Sequence, residues 1–349
     1  AKDFNLLFPP GLSFFTFQSL SYTLDAYNKK HNGAKSFSHY FTFVFFFPQL
    51  IAGPICRAKD ILPQLDSDQF KFQFSMSCLS KIIHGLFFKL VIADTLHFLI
   101  SPVFNPTNLN SYNGIDLWMG IIGYSFEIYF DFHGYSLIAI GICGFVGLKI
   151  PNNFKLPYHA VSVRDFWRRW HISLSSWFRD YVYVPLSSGR RIFSMGNFAV
   201  IMLVFSLSGL WHGDSELFLI WGVIHGSYYI FEWVVDIDYL EIKSIFLRCA
   251  LRLKTFLFVS LAWVPFRSES LEFMLEFYSK ISLISFSYLD SILPARSLYL
   301  IVTVLVGYYI FVVLERRIII KESRAYLILL LIAVVFFRFG SFEFIYYRF

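Results

Sequence analysis

Two histidines lie where ionisable residues are rare, in a strongly apolar part of the chain. His212 belongs to the stretch LSGLWHGDSELFLIWGVIHG, and His225 stands near the end of that stretch. Because an ionisable group in a membrane segment is costly, such a residue is a candidate for function. The alternative is a histidine that only hydrogen-bonds a neighbouring helix, and the residues alone leave both interpretations open.

A third histidine, His171, lies in a segment that combines arginines with aromatic residues, FWRRWHISLSSWFRDYVYVPL. From Val163 to Tyr183 these residues interleave at helical spacing, which predicts an amphipathic helix on the membrane surface with its arginines on lipid phosphates. That interpretation explains the arginines but not His171. On such a helix one broad face is predicted to carry Trp167, Trp170, His171, Trp177 and Phe178.

The spacing of the three histidines does not indicate a metal site, because no H-E-x-x-H or comparable ligand pattern is present. Phosphate-binding loops, dinucleotide fingerprints and a G-x-S-x-G elbow are also missing from the sequence. The four cysteines are far apart and form no C-x-x-C. We therefore expect neither a metal nor a bound cofactor.

The elements that position these histidines must be membrane helices. The chain has 349 residues, of which 56% are hydrophobic and 15% are charged, whereas soluble domains are about 45–50% apolar and about 25% charged. The net charge of +6 fits lysines and arginines in cytoplasmic loops. We therefore expect membrane lipids, and no nucleic acid, as partners.

Long gaps between the charges predict the membrane segments, since a spanning helix needs about 20 mostly apolar residues. Runs such as LILLLIAVVFF do not alternate, which excludes a β-barrel. An all-α polytopic membrane protein with about eight to ten transmembrane or re-entrant helices is expected. The candidate segments are Phe4–Tyr22, Phe37–Ile55, Ile82–Ile100, Ile115–Phe132, Phe198–Trp211, Leu217–Val235, Phe246–Trp263, Leu298–Leu314 and Tyr326–Phe337.

Charges in the loops predict the topology. Ser101–Asn113 has no lysine or arginine and is expected outside, whereas the basic segment Lys149–Arg191 is expected in the cytoplasm. The basic residues on both sides of Phe37–Ile55 would then lie on the same side of the membrane. Because this segment also contains Pro48, Gly53 and Pro54, it is predicted to be re-entrant and to line a cavity. The alternative is a kinked full span.

Carboxylates within the apolar segments need partners. Glu127, Asp131 and Glu232 lie in or beside predicted spans. We expect them to form structural pairs, with orientation of a histidine as the alternative.

A series of motifs along the chain resembles the membrane-bound O-acyltransferase family, in the branch of alginate O-acetylation and teichoic acid D-alanylation. The resemblance covers essentially the whole chain, in the family's order. By that resemblance, residues 1–349 form a single membrane domain built around a central funnel, which lacks the N-terminal helices that members usually have. The motifs include FFPQLIAGPICR at 46–57, YSFEIYFDFHGYSLIAIGI at 124–142, DFWRRWHISLSSWFRDYVYVPL at 165–186, LSGLWHG at 207–213 and WGVIHG at 221–226.

The resemblance also implies roles for individual residues. His212 corresponds to the family's catalytic histidine and His171 to its second functional histidine. An imidazole, with an ordinary pKa of about 6.5, is suited to take the proton from an attacking hydroxyl near neutral pH. Candidates for binding or orienting substrates are Trp170, Trp211, Asn153, Tyr135, Arg168, Arg169 and His225.

The implied reaction is transfer of an acyl group, acetyl in the first instance, from acetyl-coenzyme A or another acyl thioester to a hydroxyl of an extracytoplasmic polysaccharide or envelope acceptor. An extracytoplasmic acetyltransferase partner and the bacterial cytoplasmic membrane are expected with it. One alternative is a lipid, a protein or a carrier-bound D-alanyl group as substrate. Another is a transporter or channel, although the internal repeats typical of transporters are not found.

Overall fold

The computed structural model describes residues 11–31, 33–50, 53–67, 70–187, 194–235, 242–282, 294–316 and 323–336. All regular secondary structure in these ranges is helical, and they contain no strand. This confirms the all-α fold. The beginning of the predicted span Phe4–Tyr22 lies outside the described residues, as does Phe337 at the end of the last predicted span.

Short helices in the first part of the chain lead into two long ones. The short helices are α1 (Leu12–Tyr27), α2 (Phe37–Phe45), α3 (Phe47–Leu50) and α4 (Ala58–Leu65). The first long element consists of α5 (Met76–Phe87), a π-helical turn (Phe88–Ala93), α6 (Asp94–Ile100) and a 3-10 turn (Ser101–Phe104). The second is α7 (Gly114–Phe145), which starts at a capping box between Asn113 and Asp116.

The helices α5 and α7 are in backbone contact through two glycines. A Cβ atom on Gly85 would lie 2.5 Å from the carbonyl oxygen of Gly134, and a Cβ on Gly134 would lie 2.7 Å from that of Gly85. A larger residue at either position would therefore force the two helices apart.

Charges inside these long helices are paired, as the sequence predicts. The Lys89 ammonium lies 2.7 Å from Asp131 and 2.8 Å from Asp94, and His97 lies 2.8 Å from Glu127. α7 continues past the predicted end at Phe132 to Phe145. Glu232 pairs with Lys254 at 3.3 Å, so the partners of the three predicted carboxylates are lysines and a histidine.

The predicted break in Phe37–Ile55 is present, because α2 ends at Phe45 and Phe46 has an extended conformation before α3 begins. Neither helix is long enough to cross a membrane alone. Beyond the break, the Ile55 amide donates to Ser173 Oγ at 3.0 Å, which fixes this segment against the basic segment. Its role in lining a cavity stays a prediction.

The single amphipathic helix predicted from Val163 to Tyr183 is wrong. The structure has α8 (Val163–Trp167), α9 (Ile172–Phe178), a π-helical turn (Arg179–Tyr183) and α10 (Val184–Ser187). The break between α8 and α9 separates the predicted face: Trp167 packs on Trp221, whereas Trp177 packs on Phe17. Backbone bonds across the break explain it, because the Ile172 amide donates to Asn153 and the Lys155 amide to Arg169.

The next two helices form an antiparallel hairpin, α11 (Met195–Trp211) and α12 (Glu216–Val235). Glycines let their backbones touch near the turn. A Cβ on Gly209 would lie 2.2 Å from the Phe218 carbonyl oxygen, and one on Gly222 would lie 2.4 Å from that of Phe205. This close approach fixes the turn that carries His212.

The last described helices are α13 (Ile245–Arg267), α14 (Leu271–Ser282), α15 (Pro294–Arg316) and α16 (Arg324–Phe336). The sequence did not predict α14, whose buried Phe277 stacks on Phe104. Among the described residues, three helical stretches are long and apolar enough to cross a membrane, namely Met76–Phe104, Gly114–Phe145 and Glu216–Val235. Three shorter apolar helices are Met195–Trp211, Tyr299–Tyr309 and Arg324–Phe336.

Candidate active site

His212 occupies the turn between α11 and α12 and is surrounded by aromatic rings. It is 4% exposed. Its ring centroid lies 4.7 Å from that of Trp211, 5.3 Å from that of Trp221 and 4.9 Å from that of Phe266. Three helices, α11, α12 and α13, thus supply the walls around this imidazole.

His171 stands at the break between α8 and α9, with a left-handed backbone at φ 41° and ψ 54°. Residues other than glycine and asparagine rarely adopt this conformation, and such strain tends to occur at functional sites. The Leu174 amide donates to His171 Nδ1 at 3.3 Å. Because Nδ1 accepts this bond, the proton of the neutral imidazole is on Nε2.

Asn153 holds the chain in place beside His171. Its carbonyl oxygen accepts from the Ile172 amide at 2.9 Å, and its side-chain oxygen accepts from Ser173 Oγ at 2.6 Å. Its side-chain amide donates to Ser136 Oγ on α7 at 3.2 Å. Asn153 was predicted to bind or orient a substrate, whereas in the structure its hydrogen bonds go to residues that position His171.

Trp211 connects the two histidines, which are far apart in the sequence. Its ring centroid lies 6.1 Å from His171 and 4.7 Å from His212. Phe132 of α7 closes the other side of His171 at 4.6 Å. The structure therefore brings the two predicted catalytic histidines into one aromatic chamber, which is hereafter called the histidine chamber.

Burial disfavours the charged form of both imidazoles in the histidine chamber. It lowers the pKa of His171 to about 3. Burial also lowers the pKa of His212 well below its ordinary value, and the neighbouring His171 lowers it further. A neutral imidazole can accept a proton from a bound hydroxyl at pH 7.

His225 lies behind the histidine chamber on α12. It is fully buried, and its ring centroid lies 5.1 Å from those of Trp221 and Trp167. Neither of its ring nitrogens has a hydrogen-bond partner among the residues that the structure describes. Trp221 separates His225 from His212, so His225 belongs to the wall of the chamber.

The other predicted site residues have different surroundings. Trp170 is buried between Phe166 and Trp263, with centroids 5.5 Å and 5.1 Å away. Tyr135 lies half-buried on α7, three residues after Phe132. Arg169 donates to Asp165 at 2.8 Å, so its guanidinium is held by its own helix turn. Arg168 is exposed and lines a cavity.

That cavity has a volume of about 530 Å³ and lies between the basic segment and the α11–α12 hairpin. It is hereafter called the arginine cleft. Its lining consists of Arg164, Trp167, Arg168, Ile172, Leu174, Ser175, Ser176, Phe178, Arg179, Tyr183, Ile201, Val204, Phe205, Ser208, Tyr229 and Trp233.

Sequence reasoning missed two walls of the histidine chamber, Trp221 and Phe266. Trp221 stands four residues before His225, a spacing that places both on one helix face. This spacing could have predicted Trp221 as a neighbour of the site. Phe266 comes from α13 and had no sequence signal, because only the tertiary packing brings α13 to the turn.

No group of three or more metal-binding side chains occurs within the described ranges. The groups around the two histidines of the chamber are a proton acceptor and several N–H donors. The Trp211 and Trp221 indole N–H groups are buried and meet no acceptor in the part of the chain that the structure describes. Such groups can donate to a bound ligand.

Residues 11–236 match the membrane-bound O-acyltransferase family. Among similar proteins, a probable alginate O-acetylase of Pseudomonas syringae pv. tomato is 38% identical over 270 residues, covering 76% of this chain and 50% of the relative. The chain therefore belongs to the membrane-bound O-acyltransferase family.

Two further relatives have different names. A peptidoglycan O-acetyltransferase of Helicobacter pylori is 37% identical over 299 residues, covering 78% of this chain and 56% of the relative. A teichoic acid D-alanyltransferase of Bacillus subtilis is 29% identical over 234 residues, covering 63% of this chain and 58% of the relative. The chain spans about half the length of the curated relatives it matches.

Proposed function

We propose that this protein is an O-acyltransferase that moves an acyl group, acetyl in the first instance, from a thioester donor to a hydroxyl of a cell-envelope polysaccharide. The family and the names of the relatives support the reaction class. The observation that carries the proposal is the pair of buried, neutral histidines joined by Trp211. Acetyl-coenzyme A is the donor that we propose first.

In the proposed reaction His212 is the general base. The acceptor hydroxyl oxygen bonds to the thioester carbonyl carbon while His212 takes the hydroxyl proton. The carbon–sulfur bond of the tetrahedral intermediate then breaks, and the departing thiolate takes the proton back from His212. The histidine is neutral before and after the transfer, as its burial requires.

His171 has the complementary role of a hydrogen-bond donor. Because Leu174 occupies Nδ1, the Nε2–H of His171 can stabilise the negative oxygen of the tetrahedral intermediate. The indole N–H groups of Trp211 and Trp221 are further donors at the same chamber. A fixed tautomer is an advantage here, because the donor is in place before charge develops.

We also propose that the single membrane domain extends beyond residues 11–236, which match the family, to the rest of the chain. α13 supplies Phe266 to the histidine chamber, and its Ser260 accepts a hydrogen bond from Ser125 of α7 at 2.9 Å. We place the protein in the bacterial cytoplasmic membrane as a multi-pass protein, with the basic segment on the cytoplasmic side. The donor would enter there, and the acceptor, with a partner acetyltransferase, would be outside.

Label transfer tests the proposal. Membranes carrying wild-type protein, His212→Ala or His39→Ala at equal amounts receive radiolabelled acetyl-coenzyme A, and label in the envelope polysaccharide is counted. His39 is a matched control because its side chain is 31% exposed and lies beside Asp66. We expect label with wild type and His39→Ala only.

Equal label with His212→Ala would contradict the role of His212. A second outcome is that neither wild type nor the variants transfer acetyl, while wild type but not His212→Ala transfers D-alanine from a carrier thioester. That result would replace acetyl-coenzyme A as the proposed donor and would support His212 as the base. No transfer from either donor would overturn the proposed reaction.

A further inference from the structure

The arginine cleft has the size of a ligand site. Its volume of about 530 Å³ lies within the range of about 300–1,000 Å³ that small-molecule sites occupy. It lies beside the histidine chamber, and none of the steps proposed above uses it.

One wall of the cleft is an apolar stripe on α11. Val204, Phe205 and Ser208 stand three, four and seven residues after Ile201, so the four residues share one helix face. From the first to the last the stripe rises about 10 Å along the axis. A stripe of this length suits a hydrocarbon chain that lies parallel to α11.

The other feature of the cleft is a group of cations. Arg164, Arg168 and Arg179 all line it. Among the described residues, no carboxylate lies within ion-pair distance of Arg164 or Arg168. The neighbouring Arg169 differs, because it is held by Asp165 at 2.8 Å and does not line the cleft. The cleft thus contains positive charge that a bound anion would neutralise.

Aromatic residues at the same end indicate the level of the membrane surface. Tyr183, Tyr229 and Trp233 line the cleft, and Glu232, the residue before Trp233, accepts from the Arg164 backbone amide at 3.1 Å. Tyrosine and tryptophan are enriched where the bilayer meets water. The arginines are therefore at headgroup level, and the apolar stripe runs inward from them.

We propose that the arginine cleft binds one anionic phospholipid, with its phosphate at Arg164 and Arg168 and one acyl chain along the stripe on α11. The guanidinium fork matches phosphate oxygens in geometry and charge. The chain would reach Ser208 and Leu174, and the Leu174 amide is the group that fixes His171. A bound chain there would shield the histidine chamber from water on this side.

The proposal is independent of acyl transfer and is tested by lipid binding. The protein is purified in a neutral detergent, and binding of radiolabelled phosphatidylglycerol is measured for wild type, for the double variant Arg164→Gln/Arg168→Gln and for Arg169→Gln. We expect binding about tenfold weaker or more in the double variant. Arg169→Gln removes one positive charge from the same segment, outside the cleft, and should bind as wild type does.

A second variant tests the apolar wall without changing charge. Val204→Trp fills the space along α11 and should weaken binding of long-chain phosphatidylglycerol, but not of a dihexanoyl form. Gel filtration of every variant checks that it is folded. Equal binding of long-chain lipid by wild type and all variants would overturn the proposal.

Competition identifies the source of the phosphate. Unlabelled phosphatidylglycerol should displace the bound lipid, whereas coenzyme A and inorganic phosphate at equal concentration should not. Displacement by coenzyme A as effective as that by lipid would overturn the proposal and assign the cleft to a soluble thioester donor.

Discussion

Two histidines of this protein, one partly buried and one buried, have opposite surroundings. His97 lies on α6 with its Nδ1 2.8 Å from the carboxylate of Glu127. His212 lies in the turn after α11 against the rings of Trp211, Trp221 and Phe266. The first histidine has a carboxylate as its hydrogen-bond partner. The second has burial and another imidazole beside it, which together lower its pKa.

This difference in surroundings distinguishes a histidine that holds helices together from one that can act on a substrate. An ion pair between two long helices holds the helices together, but a histidine in such a pair is committed to its carboxylate. A neutral histidine among aromatic rings has a proton-accepting nitrogen for a substrate. Burial alone therefore does not indicate catalysis, and the neighbours of the imidazole decide between the two roles.

The largest expected effect is the loss of the base. We expect His212→Ala to lower kcat about 10³–10⁴-fold, in the upper part of the range for general-base catalysis. Its melting temperature in detergent should stay near that of wild type, since no ion pair is broken. The measurement is the initial rate of label transfer at saturating donor. A variant with more than a tenth of the wild-type rate would contradict the account.

Breaking the pair of His97 should affect stability more than chemistry. His97→Leu leaves Glu127 buried without its partner and should lower the free energy of unfolding by about 3–5 kcal/mol. The double variant His97→Leu/Glu127→Leu should recover most of that loss, because apolar residues can replace a buried pair. Chemical denaturation in detergent compares the two. A double variant as unstable as the single one would show that the pair is not the cause.

Substitution of His171 distinguishes a donor from a second base. His171→Ala removes the Nε2–H and should lower kcat about 10²–10³-fold. Asparagine tolerates the left-handed backbone at φ 41° and has an N–H donor of its own. His171→Asn should therefore retain much more activity than His171→Ala. Equal rates for the two variants would instead make His171 a proton acceptor.

Per pH unit, the smallest effect concerns acid stability. The folded pKa of His171 is about 3, below the ordinary value of about 6.5. Below pH 6.5 the unfolded chain therefore binds a proton that the folded chain does not, and stability falls toward pH 3 by up to about 1.4 kcal/mol per pH unit. Above pH 6.5 this group contributes no slope.

Melting temperatures in detergent from pH 4 to pH 8 measure this slope. His171→Asn lacks the titrating group and should lose less stability in acid than wild type. Parallel curves for the two proteins would show that His171 is not held neutral by the fold.

Apolar runs in the sequence predicted the membrane helices well, because a helix in lipid is dictated by local composition. α12 lies within one residue of the predicted Leu217–Val235, and the pairing of Glu127, Asp131 and Glu232 is confirmed. The histidines of the site were found by the cost of their placement and by the family resemblance.

The region between α8 and α9 could not be predicted from periodicity. Helical spacing continues across residues 168–171, but the Ile172 amide donates to the Asn153 carbonyl and the Arg169 carbonyl accepts from the Lys155 amide, instead of continuing a helix. These are tertiary bonds, and a local pattern does not contain them. The tautomer of His171 and the wall formed by Phe266 depend on the same long-range packing.

The central claim is that His212 and His171 act together in one chamber. A double-mutant cycle of His212→Ala, His171→Ala and the combined variant tests it most directly, with kcat measured in the label-transfer assay. Because a donor has little to stabilise once the base is lost, we predict that the double variant is no slower than His212→Ala alone. Rate losses that multiply in the double variant would show that the two histidines act independently and would contradict the account.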